Sequence, residues 1–269
     1  MVRRLRHAAA LGPADLGYGP LARNEAHQFA ARYALMIIPG RAVYSFIPKN
    51  GCSTMRLTVG MANGAISGPE AVNWIHPNNQ TFSASLEYLL TADYAFAILR
   101  CPFRRLASCY LDKIVGRYPP FWRLHDVLGR TMEPEEFTFR TFMEKLALPK
   151  IVQADEHWRP QVDFLVYEAY DDLFDLADFG TAVRVLKERI GLDVVDARDL
   201  LRHDTSHLAK TDELGPDTTP LAHLVARAEG RVASAGSLFD DELTAIVAEL
   251  YADDIALMRK TFGPQSLMF

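Results

Sequence analysis

The chain has 269 residues, of which 49% are hydrophobic and 23% charged, the balance of a soluble globular protein long enough to bury a sizeable core. Its formal net charge of −5 argues against a general nucleic-acid binder, although a local basic pocket would not show in that sum. No stretch approaches the ~20 apolar residues that cross a bilayer, so no integral membrane segment is expected.

Met1 to Ala10 is basic but lacks the apolar segment of a secretory signal. Residues 1–20 read as an irregular lead-in, and Leu21 to Leu35 carries helical spacing. Ala42 to Ile47 reads as a strand closed by Pro48, followed by a short loop and a helix from Thr54 to Met61 that stops at Asn63-Gly64. Tyr94 to Leu99 is almost wholly apolar, as a central parallel strand covered on both faces would be. Pro102 can open the next helix, which runs through Lys113. Phe137 to Leu146 reads as a helix, Val162 to Tyr167 as a third strand and Leu173 to Leu176 as a short fourth. Thr181 to Ile190 is a helix ending at Gly191. Asp193 to Thr219 is polar and loop-rich, and Asp240 to Phe262 is the last helix. Strands alternating with helices imply βαβ units, hence an α/β fold with a central parallel sheet flanked by helices. A lead-in and helix over 1–41 and a single domain over 42–269 are expected.

Two segments concentrate chemistry. Ile47-Pro48-Lys49-Asn50-Gly51-Cys52-Ser53-Thr54-Met55-Arg56 follows a buried strand and opens a helix, where free amides favour an anion and Gly51 permits close backbone approach. Ser53 and Thr54 add hydroxyls and Lys49 a mobile positive charge; the same residues would also serve as a polar turn with an N-cap serine. The spacing G-x-x-x-x-G-K-[ST] is absent, so this is not a Walker A loop. In the second segment, Arg100 stands at the carboxyl end of a buried strand, where open α/β sheets collect ligands. Ser108 follows about two turns into the next helix, close enough to share one phosphate with it. An exposed arginine and a helix-face serine are the structural alternative.

Together these segments resemble the sulfotransferases, in particular their carbohydrate sulfotransferase branch. Pro48-Lys49-Asn50-Gly51-Cys52-Ser53-Thr54 matches the family pattern P-K-x-x-x-[ST]-[ST]. Arg100-Cys101-Pro102-Phe103-Arg104-Arg105-Leu106-Ala107-Ser108-Cys109-Tyr110-Leu111-Asp112-Lys113 matches R-x-P-F-x-R-L-x-S-[AC]-[YF]-x-x-K. Asp155-Glu156-His157-Trp158-Arg159-Pro160-Gln161 is similar to the E-H-W segment of the same branch. Cys101 departs from the acid usual there, at a position not expected to touch phosphate, and the lead-in lacks the membrane anchor of the Golgi enzymes.

The resemblance implies a P-loop-like three-layer fold and transfer of a sulfuryl group from 3′-phosphoadenosine-5′-phosphosulfate (PAPS) to a hydroxyl of a glycan or glycoconjugate, releasing PAP, with no metal. It implies that Lys49, Asn50, Gly51, Cys52, Ser53 and Thr54 cradle the 5′ side, with Lys49 neutralising charge on the bridging oxygen. Arg100 and Ser108 would hold the 3′-phosphate. For the base that takes the acceptor proton, His76, His157 and Glu156 stay open; a histidine suits the role because its unperturbed pKa is about 6.5. A nucleotide kinase with a variant phosphate loop, or a non-catalytic nucleotide- or glycan-binding protein on the same fold, are the rival readings.

Three weaker patterns carry little. Gly17-Tyr18-Gly19-Pro20-Leu21-Ala22 fits a dinucleotide fingerprint without a preceding strand. His203 and His207 lack a third metal ligand, although Arg202, His203 and Lys210 could meet an acidic sugar. Asn79-Gln80-Thr81 matches a glycosylation acceptor without an export signal. Cys52, Cys101 and Cys109 have no zinc or C-x-x-C spacing and read as reduced thiols of a cytoplasmic protein.

Overall fold

The computed structural model describes residues 2–7, 21–78, 80–197, 200 and 207–269. Asn79, Arg202, His203 and most of the Gly17–Ala22 pattern lie outside the described residues. In chain order the elements are α1 (Glu25–Arg32), β1 (Ala34–Ile37), β2 (Ala42–Ser45), α2 (Cys52–Ala62), α3 (Leu86–Thr91), β3 (Tyr94–Leu99), α4 (Pro102–Cys109), α5 (Pro119–Val127) and α6 (Phe139–Leu146). They continue with β4 (Asp172–Asp175), α7 (Phe179–Ile190), β5 (Ala209–Thr211), α8 (Pro220–Ala228), β6 (Arg231–Ala233), α9 (Asp241–Leu250) and α10 (Ala252–Phe262). The chain packs as two compact units, Met1–Leu99 with Gln161–Arg202 and Arg100–Pro160 with His203–Phe269.

The first unit is built on a sheet of order β1-β2-β3-β4. β2, β3 and β4 are parallel, with Tyr44 opposite Phe96 and Leu99 opposite Asp175, while β1 runs antiparallel along β2. Successive side chains point to opposite faces, and both faces are covered. Tyr44, Phe96 and Ile98 pack with Met55 and Val59 of α2 and with Ala182 and Leu186 of α7. Val43 and Ala95 pack with Ala30 of α1, Leu89 of α3, Val166 and Tyr167. Double coverage is why β2 and β3 are buried at every position and carry few polar side chains. The expected three-layer α/β fold, with a mostly parallel sheet between helices, is present.

The second unit is mainly helical. Phe103, Leu106 and Tyr110 share its core with Phe121 of α5, Phe142 of α6, Trp158, and Leu243, Val247 and Tyr251 at the C-terminal helices. A two-stranded parallel ribbon joins β5 to β6.

Several elements differ from their sequence reading. Val162 to Tyr167 is not a strand. It begins as a 3-10 turn over Gln161–Phe164, and Phe164 sits edge-on to Phe29 and Tyr33. An apolar run signals burial without specifying the backbone that achieves it. The strand after β3 is β4, the short segment expected near Leu173. The helix expected over Leu21–Leu35 is capped by Asn24, which accepts from the His27 amide, and ends at Tyr33; Ala34–Ile37 turns into edge strand β1. α4 stops at Cys109 and passes into a π turn over Tyr110–Ile114. The last helix divides at Tyr251, whose φ of −118° and ψ of 28° are not helical. The polar 193–219 stretch contains β5.

Cys52, Cys101 and Cys109 are free thiols. Among the described residues no helix is long and apolar enough to cross a membrane.

His223, on α8, is 3% exposed and lies edge-on to Tyr110 at 5.6 Å between ring centroids. Burial, reinforced by the Arg227 charge, pushes its pKa down to about 4. The unfolded chain takes that proton near pH 6.5, so folding stability is favoured above pH 6.5 and declines as pH falls towards 4. Urea unfolding at pH 7.0 and 4.5 should show a smaller acid-side loss for His223→Leu than for the wild type.

Candidate functional site

In the first unit the chain leaves β2 through a tight turn. The Asn50 amide donates to the Ile47 carbonyl at 3.2 Å. Lys49 and Gly51 both take left-handed backbone, with φ of 73° and 71°. That conformation suits Gly51 but costs Lys49 about 1 kcal/mol or more. Gly51 caps α2 and no side chain caps that end. The first bonded amide is Met55, to the Gly51 carbonyl at 3.1 Å, so the amides of Cys52, Ser53 and Thr54 have no intrahelical acceptor. Lys49, Gly51, Cys52 and Ser53 are part-exposed. This strand–turn–helix presents amide donors, a hydroxyl and an ammonium at one place, a combination suited to an anion.

Asn50 and Thr54 are turned to other duties. The Asn50 side chain is completely buried, and its Nδ2 donates to the Ile98 carbonyl at 2.9 Å and to Gln161 Oε1 at 2.6 Å. Thr54 Oγ1 accepts from the Ala197 amide at 3.2 Å. One turn later, Thr58 Oγ1 accepts from the Val195 amide at 3.0 Å and donates to the Thr54 carbonyl at 2.9 Å. The two threonines thus fasten segment 195–197 to α2.

In the second unit, Arg100 follows the last residue of β3, and Pro102 occupies the first turn of α4. Arg100 is part-exposed. Burial, followed by the like charge of Arg105, pushes its pKa down to about 10, so it stays cationic at neutral pH. Ser108 is part-exposed in the last turn of α4. The π turn follows, closed by the Val115 amide to the Tyr110 carbonyl at 3.0 Å; such single turns are frequent at functional sites. Arg105 is 1% exposed and donates through Nη1 to the Arg159 carbonyl at 2.7 Å and through Nη2 to the Glu156 carbonyl at 3.1 Å. The Arg100–Lys113 motif and the Glu156-His157-Trp158 segment are therefore fastened to one another.

The candidate bases sit in different surroundings. His76, in the first unit, is exposed at the end of a 3-10 turn over Pro69–Ile75. His157, in the second, is part-buried and its Nδ1 lies 2.7 Å from Asp155 Oδ1. Glu156 Oε1 is 3.9 Å from the same nitrogen. Ligand atoms of Asp155, Glu156 and His157 lie within 4.8 Å of one another. They do not form a ready cation site, because Asp155 already receives donors from His157 and from Arg123.

Sequence reasoning singled out neither Asp155, Arg105 and Arg123 nor the inward role of Asn50. The i, i+2 spacing of Asp155 and His157 was visible as a short-range side-chain pairing. The partners of Arg105 lie more than fifty residues away and leave no local signal.

These features describe an α/β protein in which β2 leads through a tight turn into an uncapped helix start and β3 leads into an arginine-bearing helix. The model of the Sulfotransferase family matches residues 40–258, most of the chain, and the chain belongs to that family. Membership supports sulfuryl transfer as its class of reaction. Neither the curated proteins nor the solved structures yield a match.

Because a Cβ on Gly51 would stand 3.1 Å from Leu176 Cδ1 on left-handed backbone, Gly51→Ala should lose about 1–2 kcal/mol of stability in chemical denaturation. Lys49→Gly relieves the left-handed strain and should unfold no more readily than Lys49→Ala.

Proposed function

We propose that the protein is a PAPS-dependent sulfotransferase that moves a sulfuryl group to a hydroxyl of a carbohydrate or glycoconjugate and releases PAP. The observation that carries this reading is the turn between β2 and α2, where a strained, part-exposed Lys49 stands before uncapped helix amides in a chain of the sulfotransferase family. Strained backbone persists where the surrounding structure holds it and is concentrated at functional sites.

In this reading the amides of Gly51 to Thr54 and the Ser53 hydroxyl bind the 5′-phosphosulfate, and Asn50 contributes through its backbone. Lys49 neutralises the charge that builds on the bridging oxygen as the S–O bond breaks. Arg100 supplies a planar fork of donors for the 3′-phosphate and Ser108 a short one. Catalysis then consists of positioning and charge stabilisation, with no metal among the required parts. The acceptor glycan is recognised by the segment from Tyr118 to Glu133, which folds as α5 and the turn after it, and by the 207–219 stretch around β5. The free thiols support a reducing, cytoplasmic setting.

PAP and PAPS should raise the melting temperature without magnesium, while ATP and GTP should not do so even with it; the reverse pattern would favour a kinase. Lys49→Ala should lower kcat by about a hundredfold or more. Arg100→Lys keeps the charge but loses the fork, and should weaken PAP binding by about tenfold. Near-normal activity in Lys49→Ala would remove that residue from the site.

A further inference from the structure

We propose that Thr54 is a positioning residue: with Thr58 it braces the first turn of α2 from the side, so that the turn stays helical while its amides are left open for the 5′-phosphosulfate. The inference rests on the sulfotransferase reading above and adds to it how the donor cradle is held in shape before the donor arrives.

A helix start carries amides without intrahelical acceptors, and it frays unless something holds it. The usual device is an N-cap side chain that accepts an amide of the first turn. Asn24, Ser85, Thr138, Thr219 and Asp240 do this for α1, α3, α6, α8 and α9. At α2 that device conflicts with the proposed function, because a cap would occupy an amide that the anion needs. Gly51 has no side chain to cap with. Its φ of 71° and ψ of 17° are left-handed, whereas a capping residue adopts extended backbone. The hold on this helix start has to come from another direction.

It comes from Thr54, the third residue of α2. Thr54 and Thr58 are both buried. Thr54 Oγ1 accepts the Ala197 amide at 3.2 Å, and the Thr54 carbonyl accepts Thr58 Oγ1 at 2.9 Å. Thr58 Oγ1 in turn accepts the Val195 amide at 3.0 Å. Thr54 is thus held at its side chain and at its backbone. These bonds engage two hydroxyls and a carbonyl, and none of them uses the amides of Cys52, Ser53 or Thr54. The chain from Val195 through Thr58 to the Thr54 carbonyl is of the kind in which each bond polarises the next.

The other end of the brace is anchored. Ala197 is completely buried and packs with Leu57, Ile66, Val72 and Ile75, and its carbonyl accepts the Leu200 amide at 3.1 Å. The amides of Val195 and Ala197 need acceptors and the helix start needs a hold, so each side meets the other's requirement. Every partner belongs to the unit that carries Lys49. The adjacent hydroxyls of Ser53 and Thr54 therefore divide their work: part-exposed Ser53 meets the ligand, and Thr54 keeps the turn that presents it. A turn already in its binding shape spares the ligand the cost of ordering it.

Two readouts on the full chain test this. In the ligand-free chain, hydrogen exchange of the Met55, Arg56 and Leu57 amides reports on the first turn, because Met55 is the first amide bonded within it. Thr54→Val should speed that exchange by about tenfold or more. Thr54→Ser should stay near wild type, and Ser53→Ala should leave the exchange unchanged. The second readout is binding and turnover, with PAP and labelled PAPS as probes and chondroitin, heparosan and chitooligosaccharides as acceptors. Thr54→Val should weaken PAP and raise the KM for PAPS by about tenfold, with a smaller effect on kcat, and saturating PAP should restore protection of the turn. Ser53→Ala should weaken PAP while its exchange stays at the wild-type rate, the signature of a lost contact.

Wild-type exchange in Thr54→Val overturns the brace. Faster exchange with unchanged PAP affinity and KM makes the residue merely structural and overturns its part in the reaction. A Thr54→Ser chain that behaves like Thr54→Val overturns the role of the hydroxyl. If Thr54→Val does not fold, Thr58→Val removes the acceptor of the Val195 amide and is read by the same outcomes. A wild-type chain that neither binds PAP nor turns over PAPS overturns the sulfotransferase reading, while exchange in the ligand-free variants still decides the brace.

Discussion

The first unit depends on a buried carboxamide. Pairing between β2 and β3 ends with Ser45 opposite Ala97, whereas β3 continues beside β4 as far as Leu99 opposite Asp175. On the β2 side the Ile98 carbonyl would therefore be left without a strand partner in a buried place, at a cost of about 1–3 kcal/mol. Asn50 Nδ2 takes that carbonyl and joins it to Gln161. Returning the chain to the sheet edge so soon after β2 requires a sharp turn, and the left-handed backbone at Lys49 and Gly51 provides it. The conformation that places Lys49 ahead of α2 is thus tied to completing a hydrogen-bond ladder. Ser45 reinforces the same corner through the Tyr170 hydroxyl at 2.7 Å, which also accepts from the Val166 amide.

A buried guanidinium plays the matching part in the second unit. Arg105 donates to the backbone carbonyls of Glu156 and Arg159. Bonds of that kind fix the course of a loop, and the Arg105 charge also acts on Arg100. One side chain on α4 accordingly does two things: it fixes the segment that carries His157, and it raises the electrostatic cost of the cation at the start of its own motif.

How much of this was legible in the sequence depended on range. β2, β3 and the starts of α2 and α4 were readable because apolar runs, Gly51 and Pro102 are local signals. The long motif from Arg100 to Lys113 carried the family assignment for the same reason. Val162 to Tyr167 misled because its side chains are as buried as a strand's while its backbone turns. β1 was hidden because Ala34 and Leu35 continue the apolar spacing of α1, and only the pairing with β2 declares a strand. Tyr251 breaks the last helix while its ring is buried in the core and its hydroxyl meets the Trp158 carbonyl, a contact 93 residues away in sequence. Of the candidate site, residue identities were legible and orientations were not. Nothing in the string Lys49-Asn50-Gly51 says that the middle side chain points inward.

The two proposed anion grips rest on different physics. The turn before α2 offers mostly uncharged amides, fixed by backbone geometry and supplemented by one ammonium. The start of α4 offers Arg100 beside Arg104 and Arg105, and it also faces the positive end of a helix. Burial first, and then the like charges of Arg105 and Arg104, lower the pKa of Arg100. In the proposed function a phosphate dianion would meet both positive charge and hydrogen-bond donors there. A formal net charge of −5 is compatible with such a proposed site. The sum over all residues does not show that Arg100, Arg104 and Arg105 gather at one helix start.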